Sequence, residues 1–169
     1  MRRAAAILSA IFFGVVAAAC GLGQAIDGVV FLPTSRPAEA DLVGRWRIHG
    51  RHVAEAKEWY GIDAADAEIV LAPDGTITWR RVPDVLVDKF EQTDPRLVDR
   101  RGKWTLATRH DVWRLDVDVE RPDAGKCATE ITIWNRSAPY RLALNGDDPD
   151  ECHYVFFDRD AAASAVEAK

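Results

Sequence analysis

The sequence predicts an all-β chain closing into a small antiparallel barrel of about eight strands with one or two short helices. Three observations predict it. Short apolar-polar runs recur at hairpin spacing from Leu42 to Asp158. Two of them, Glu68–Ala72 and Thr76–Arg80, flank Pro73-Asp74-Gly75, and Asp-Gly supplies the positive φ of a tight hairpin turn. The run Trp113–Val119 alternates strictly, with Trp113, Leu115, Val117 and Val119 inward and Arg114, Asp116, Asp118 and Glu120 outward. Many short, evenly spaced strands make a sandwich or a barrel, and residues 41–160 suffice to close a small barrel.

The first strand is expected to run from Leu42 to Ile48, with Leu42, Gly44, Trp46 and Ile48 facing inward. Val53, Ala56, Trp59 and Tyr60 then have helical spacing. Between Val82 and Val98, Pro83 and Pro95 break any strand, and Leu86–Phe90 suits a helical turn across an open barrel end. Gly102-Lys103-Trp104 opens a further strand and repeats the Gly-x-Trp spelling of Gly44-Arg45-Trp46. Ala128–Trp134, Tyr140–Leu144 and Cys152–Asp158 complete the set, with an acidic turn over residues 145–150 before the last. Residues 161–169 form an alanine-rich tail.

Ahead of the barrel lies a leader. Arg2 and Arg3 precede a run of 16 residues, Ala4–Ala19, that is apolar but for Ser9 and Gly14. A membrane span needs about 20 residues, so residues 1–19 fit a signal peptide better than an uncleaved anchor. Ala17-Ala18-Ala19-Cys20-Gly21 resembles the lipobox of bacterial lipoproteins, with Ala17 where that motif usually has Leu. The resemblance implies that Cys20 becomes a lipidated N-terminus carrying diacylglyceryl and an N-acyl chain such as palmitate, an anchor stable because it holds more than one chain. Cleavage at an ordinary Ala-x-Ala site, releasing a soluble protein, is the alternative. Residues 20–40, with Pro33, Ser35 and Pro37, read as a tether. With Cys20 lipidated, Cys127 and Cys152 remain. In an exported protein they suit a disulfide, worth about 3 kcal/mol for a loop of that length; two reduced core thiols are the other reading.

Charge excludes some partners. The chain carries 22 Lys+Arg against 27 Asp+Glu, and removing Arg2 and Arg3 takes the net charge from −5 to −7. That balance disfavours nucleic acid and offers no overall attraction to anionic lipid. Attachment to a membrane is therefore expected through Cys20.

Leu42-Val43-Gly44-Arg45-Trp46, Asp74-Gly75-Thr76, Gly102-Lys103-Trp104, and Gly146-Asp147-Asp148-Pro149-Asp150 leading into Tyr154-Val155-Phe156 together resemble a group of lipocalin-like bacterial lipoproteins, over roughly Asp41 to Arg159. The resemblance implies an antiparallel barrel on a lipid anchor at the cell membrane, on its extracytoplasmic face. It implies no catalytic residues, and no reliable counterpart of the later lipocalin motifs is present.

No residue pattern points to an enzyme. His49, His52 and Glu55 have the spacing of a metal face, but His49 falls at a strand end, and the set is expected to be solvated. His110 follows Arg109 in a turn, and His153 adjoins Cys152 in the last strand. Asp147, Asp148, Asp150 and Glu151 lack the calcium-loop pattern. No cofactor or metal is expected. The aromatic set is the most suggestive feature. Trp46, Trp79, Trp104, Trp113 and Tyr140 either fill the barrel or line a pocket for a small apolar ligand. Arg81, placed on the Ile77–Trp79 face, would be a polar anchor in such a pocket. Trp134 alternates opposite Ile131 and Ile133 and is expected to face outward. The expected role is a binding module for a small apolar ligand or an envelope partner; the alternative is a structural or protein-interaction module with a side-chain-filled barrel.

Overall fold

The computed structural model describes residues 32–87, 96–121, 125–145 and 154–160. Eight strands form one closed barrel in which each pairs with its sequence neighbour and β1 pairs with β8. They are β1 (Gly44–Ile48), β2 (Glu68–Leu71), β3 (Thr76–Pro83), β4 (Leu97–Arg109), β5 (Val112–Arg121), β6 (Gly125–Trp134), β7 (Arg141–Asn145) and β8 (Tyr154–Arg159). Closure gives every strand a partner on both sides.

Among the described residues, three short helices accompany the strands: α1 (Glu39–Leu42), α2 (Arg51–Tyr60) and α3 (Asp84–Val87). Leu42, expected to open the first strand, instead ends α1. It is still fully buried, because α1 lies across the barrel end from which β1 starts. α2 follows β1 and buries His52, Ala56 and Tyr60, one helical stripe, while Val53 and Trp59 pack at its margin. Left-handed Gly61 ends it, its amide reaching the Lys57 carbonyl. The turn expected at Leu86–Phe90 begins earlier, at Asp84. The Asp84 carboxylate accepts the amides of Val85 and Arg96 and pairs with the Arg96 guanidinium at 3.1 Å. All four α3 residues are buried, and the Val87 carbonyl lies 3.8 Å from Cys127 Sγ on β6. α3 therefore reaches from β3 towards β6, across the end opposite α1.

Register explains the interior. Trp46 lies opposite Ile69, and Ile69 opposite Trp79, so β1, β2 and β3 set three large side chains at one level. Leu115 and Ile131 face each other, as do Ile133 and Leu142, and Leu142 and Phe157. Asp116, Asp118 and Glu120 take the outer face, as their alternation requires. The Asp74–Gly75 hairpin forms as expected. Asp74 accepts the Thr76 amide at 2.8 Å, and the Thr76 hydroxyl and amide hold its carboxyl below the usual range. Strands run longer than their apolar patterns suggested, notably β4 with 13 residues and β6 from Gly125. Long antiparallel pairs extend past the core wherever the partner strand continues.

Candidate functional site

The aromatic set enters the barrel from several strands. Trp46, Trp79, Ile69, Ile77, Leu115, Ile131, Ile133, Leu142, Val155 and Phe157 have no surface that a water-sized sphere can reach, from outside or within. These side chains fill the space between them. Trp104 and Tyr140 are buried nearer the α1 end, and Trp113 is half-buried at the start of β5. Burial and the nearby Asp41 carboxylate push the Tyr140 phenol up.

Arg81 is not on the Ile77–Trp79 face. A register shift between Trp79 and Val82 puts Val82 inside, and Arg81, at φ 50°, projects outward with its side chain 58% exposed. A β-bulge resets alternation by one residue, and strict counting past Trp79 misses it. Trp134 faces outward as expected, against Tyr154 and Phe156 at centroid distances of 5.5 and 5.0 Å. Cys127 is half-buried beside α3. Cys20, Cys152, His153 and the acidic residues Asp147, Asp148, Asp150 and Glu151 lie outside the described residues.

Two polar atoms inside this wall lack partners among the described residues: Trp79 Nε1 and Thr129 Oγ1. Thr129 faces Val117 across β5 and β6, so its hydroxyl is turned into an apolar interior. A buried polar group without a partner is uncommon and calls for a physical reason.

The barrel end at α1 is locked by two side chains. The Trp46 indole donates to the Leu42 carbonyl at 2.9 Å. Arg159, opposite Trp46 in the β1–β8 register, donates to the Val43 carbonyl at 2.7 Å and the Asp41 carbonyl at 3.3 Å. Three successive carbonyls at the end of a one-turn helix are thus satisfied, where a helix end would otherwise leave them open. Arg159 was not singled out by the sequence, since a lone arginine at a strand end has no local signature.

A second unforeseen cluster lies under α2. His52 is buried, not solvated: its ring sits 5.0 Å from that of Phe156, because the helix lays its first turn on β8. Arg141 donates to His52 Nε2 at 3.1 Å and pairs with Asp158 at 2.6 Å. An acceptor Nε2 places the ring proton on Nδ1, which faces Glu55. Burial, outweighing Glu55, lowers the His52 pKa, with Arg141 and Arg51 adding to the shift. His49 stands apart, exposed after β1.

On the outer wall Glu68 is buried beneath three arginines. Arg47 reaches it at 3.1 Å, Arg80 at 3.0 Å and Arg45 at 3.4 Å. Beside it, Thr78, Trp79, Arg80, Arg81, Asp99, Arg100 and Arg101 line a shallow concavity of about 500 Å³. The Arg80-Arg81 doublet was legible as a signal, because two adjacent arginines cannot both face solvent in a regular strand.

Among the described residues no helix is long and apolar enough to cross a membrane, and no group of His, Cys, Asp or Glu is placed to hold a metal. No protein-family model matches the chain, and no curated protein or solved structure matches it.

Proposed function

We propose that this chain is a non-enzymatic, lipid-anchored module held at Cys20 on the extracytoplasmic face of a cell membrane, its barrel filled by its own side chains and its work done through its outer surface on an envelope partner. The observation that carries the filled-barrel reading is the complete burial of Trp46, Trp79 and their interior neighbours. A calyx for a drug-sized ligand needs at least about 300 Å³ of interior space. The anchor rests on the sequence around Cys20, and the likeness to lipocalin-like lipoproteins rests on the Gly-x-Trp and Asp-Gly-Thr motifs. Cys127 and Cys152 are assigned to a disulfide on the same grounds of export.

Native mass spectrometry of the purified protein tests the filled barrel: the bare chain mass is expected, with no uptake of a hydrophobic probe, and a co-purified apolar molecule overturns it. Cys20→Ala is expected to move the protein to the soluble fraction; unchanged membrane association removes the anchor from the proposal. A non-reduced peptide map should contain a Cys127–Cys152 fragment, and its absence removes the pairing.

A second reading, a small apolar ligand inside the barrel, is favoured by one observation, the unpartnered Thr129 hydroxyl and Trp79 indole N–H. Such a ligand would carry a polar group for Thr129 and touch Trp104, Trp113 or Tyr140, the interior aromatics that keep some exposure.

A further inference from the structure

We infer that the concavity between β3 and β4 is a binding site for a phosphate-bearing anion, held by Arg81 and Arg101 and flanked by Arg80 and Arg100. Backbone and carboxylates are both committed to building it. The bulge after Trp79 turns Arg80 and Arg81 outward together; regular alternation would drive one of them into the barrel. Arg81 is held at φ 50°, a left-handed conformation that disfavours a residue with a Cβ. Asp99 secures that conformation, accepting the Arg81 amide at 2.8 Å through Oδ1. Across the strand pair, Arg101 lies opposite Thr78 on the outer face and lines the same hollow, with Arg100 next to it in the strand.

The acids nearby offset these groups only in part: Asp99 is the one carboxylate that lines the hollow with the four arginines. Glu68 is shared among Arg45, Arg47 and Arg80. Asp66 is 78% exposed and 3.7 Å from Arg81, a solvent-screened pair of little value. Arg100 donates only to the Asp99 carbonyl, and Arg101 makes no ion pair among the described residues. Guanidinium groups with free N–H forks around one hollow match the oxygens of a phosphate, which they bind in bidentate fashion. The overall acidic charge makes this local basic surface a specific feature and not a reflection of composition. The proposal does not depend on the anchor at Cys20 or on the filled barrel.

Isothermal titration of the full chain with inorganic phosphate tests the site, alongside co-sedimentation with phosphatidylglycerol vesicles and, as the net-neutral control, phosphatidylcholine vesicles. Arg81→Gln/Arg101→Gln removes two guanidinium groups and leaves the Glu68 cluster whole. Arg109→Gln, on the hairpin of β4 and β5, is the control for general charge loss. Binding of phosphate by the wild type, weakened at least about tenfold in the double variant and unchanged in the control, supports a site for a free phosphate or phosphate ester. A preference for phosphatidylglycerol without phosphate binding, again lost in the double variant only, supports the same site with a lipid headgroup as its source. Absence of both kinds of binding, or equal loss in Arg109→Gln, overturns the inference. An unchanged melting temperature shows that the double variant is folded, and Arg101→Gln alone, at an exposed position, replaces it if it is not.

Discussion

Gly44-Arg45-Trp46 and Gly102-Lys103-Trp104 share a spelling and differ in what the spelling does. In both, the tryptophan is buried and its indole donates to a backbone carbonyl, Leu42 for Trp46 and Ala72 for Trp104. The glycines part company. A Cβ on Gly102 would fall 2.0 Å from the Asp118 carbonyl oxygen, so β4 and β5 approach as closely as they do because nothing stands there. Gly44 has φ 139°, and its missing Cβ would meet the Arg159 guanidinium, with Nε at 3.2 Å. Gly102 clears room for a backbone, Gly44 for a side chain that can move. The second motif is a packing device within a sheet, whereas the first belongs to a lock between α1 and β8.

Substitutions can break this contrast. Trp46→Ala should have the largest effect, about 4 kcal/mol lost in urea unfolding, since it empties the centre of the core and frees the Leu42 carbonyl. Gly102→Ala should follow at about 3 kcal/mol, because the obstacle is main chain and cannot rotate away. Gly44→Ala should cost less, about 1–2 kcal/mol, as the guanidinium can shift and the remaining penalty is conformational. If Gly44→Ala proves as damaging as Gly102→Ala, the distinction between the two glycines fails. Arg159→Met should cost about 2 kcal/mol by opening two carbonyls. Combined with Gly44→Ala it should cost less than the sum, since both act on one contact, and strict additivity in that double-mutant cycle would separate them.

The smallest effect is a titration that neither tryptophan motif shares. The folded-state pKa of His52 lies below its unfolded value of about 6.5. The unfolded chain therefore binds the proton first. The His52 contribution is fully present above pH about 6.5 and is lost as pH falls towards the folded value. A charged ring would also set two donors, His52 Nε2–H and Arg141, against each other. Thermal unfolding of His52→Gln should lose part of the decline seen in the wild type below pH about 6.5, and identical profiles would show that the ring is not titrating under α2.

Legibility in the sequence follows the range of the interactions. Alternation, Asp-Gly and Gly-x-Trp are local, and they located the strands, the first hairpin and the buried tryptophans. The bulge at Arg81 defeated counting, although the Arg80-Arg81 doublet marks the place where alternation could not continue. The His52–Arg141–Asp158 cluster joins residues far apart in sequence, as does Arg159 with Val43, and no periodicity carries such information. Leu42 was rightly placed inward but wrongly in a strand, because four residues are too few for a helical period to show.

The lock at Arg159 sets an order of events. β1 pairs with β8, and the carbonyls of Asp41 and Val43 receive their donor from a residue more than 110 positions later. A ring whose first segment is tied to its last cannot shut while the chain is still being made. Contacts of such long separation also form slowly, because loop closure precedes any gain. The closed barrel is therefore a late product of folding, and a chain emerging from synthesis or threading through a narrow channel remains an open ribbon until its eighth strand is free.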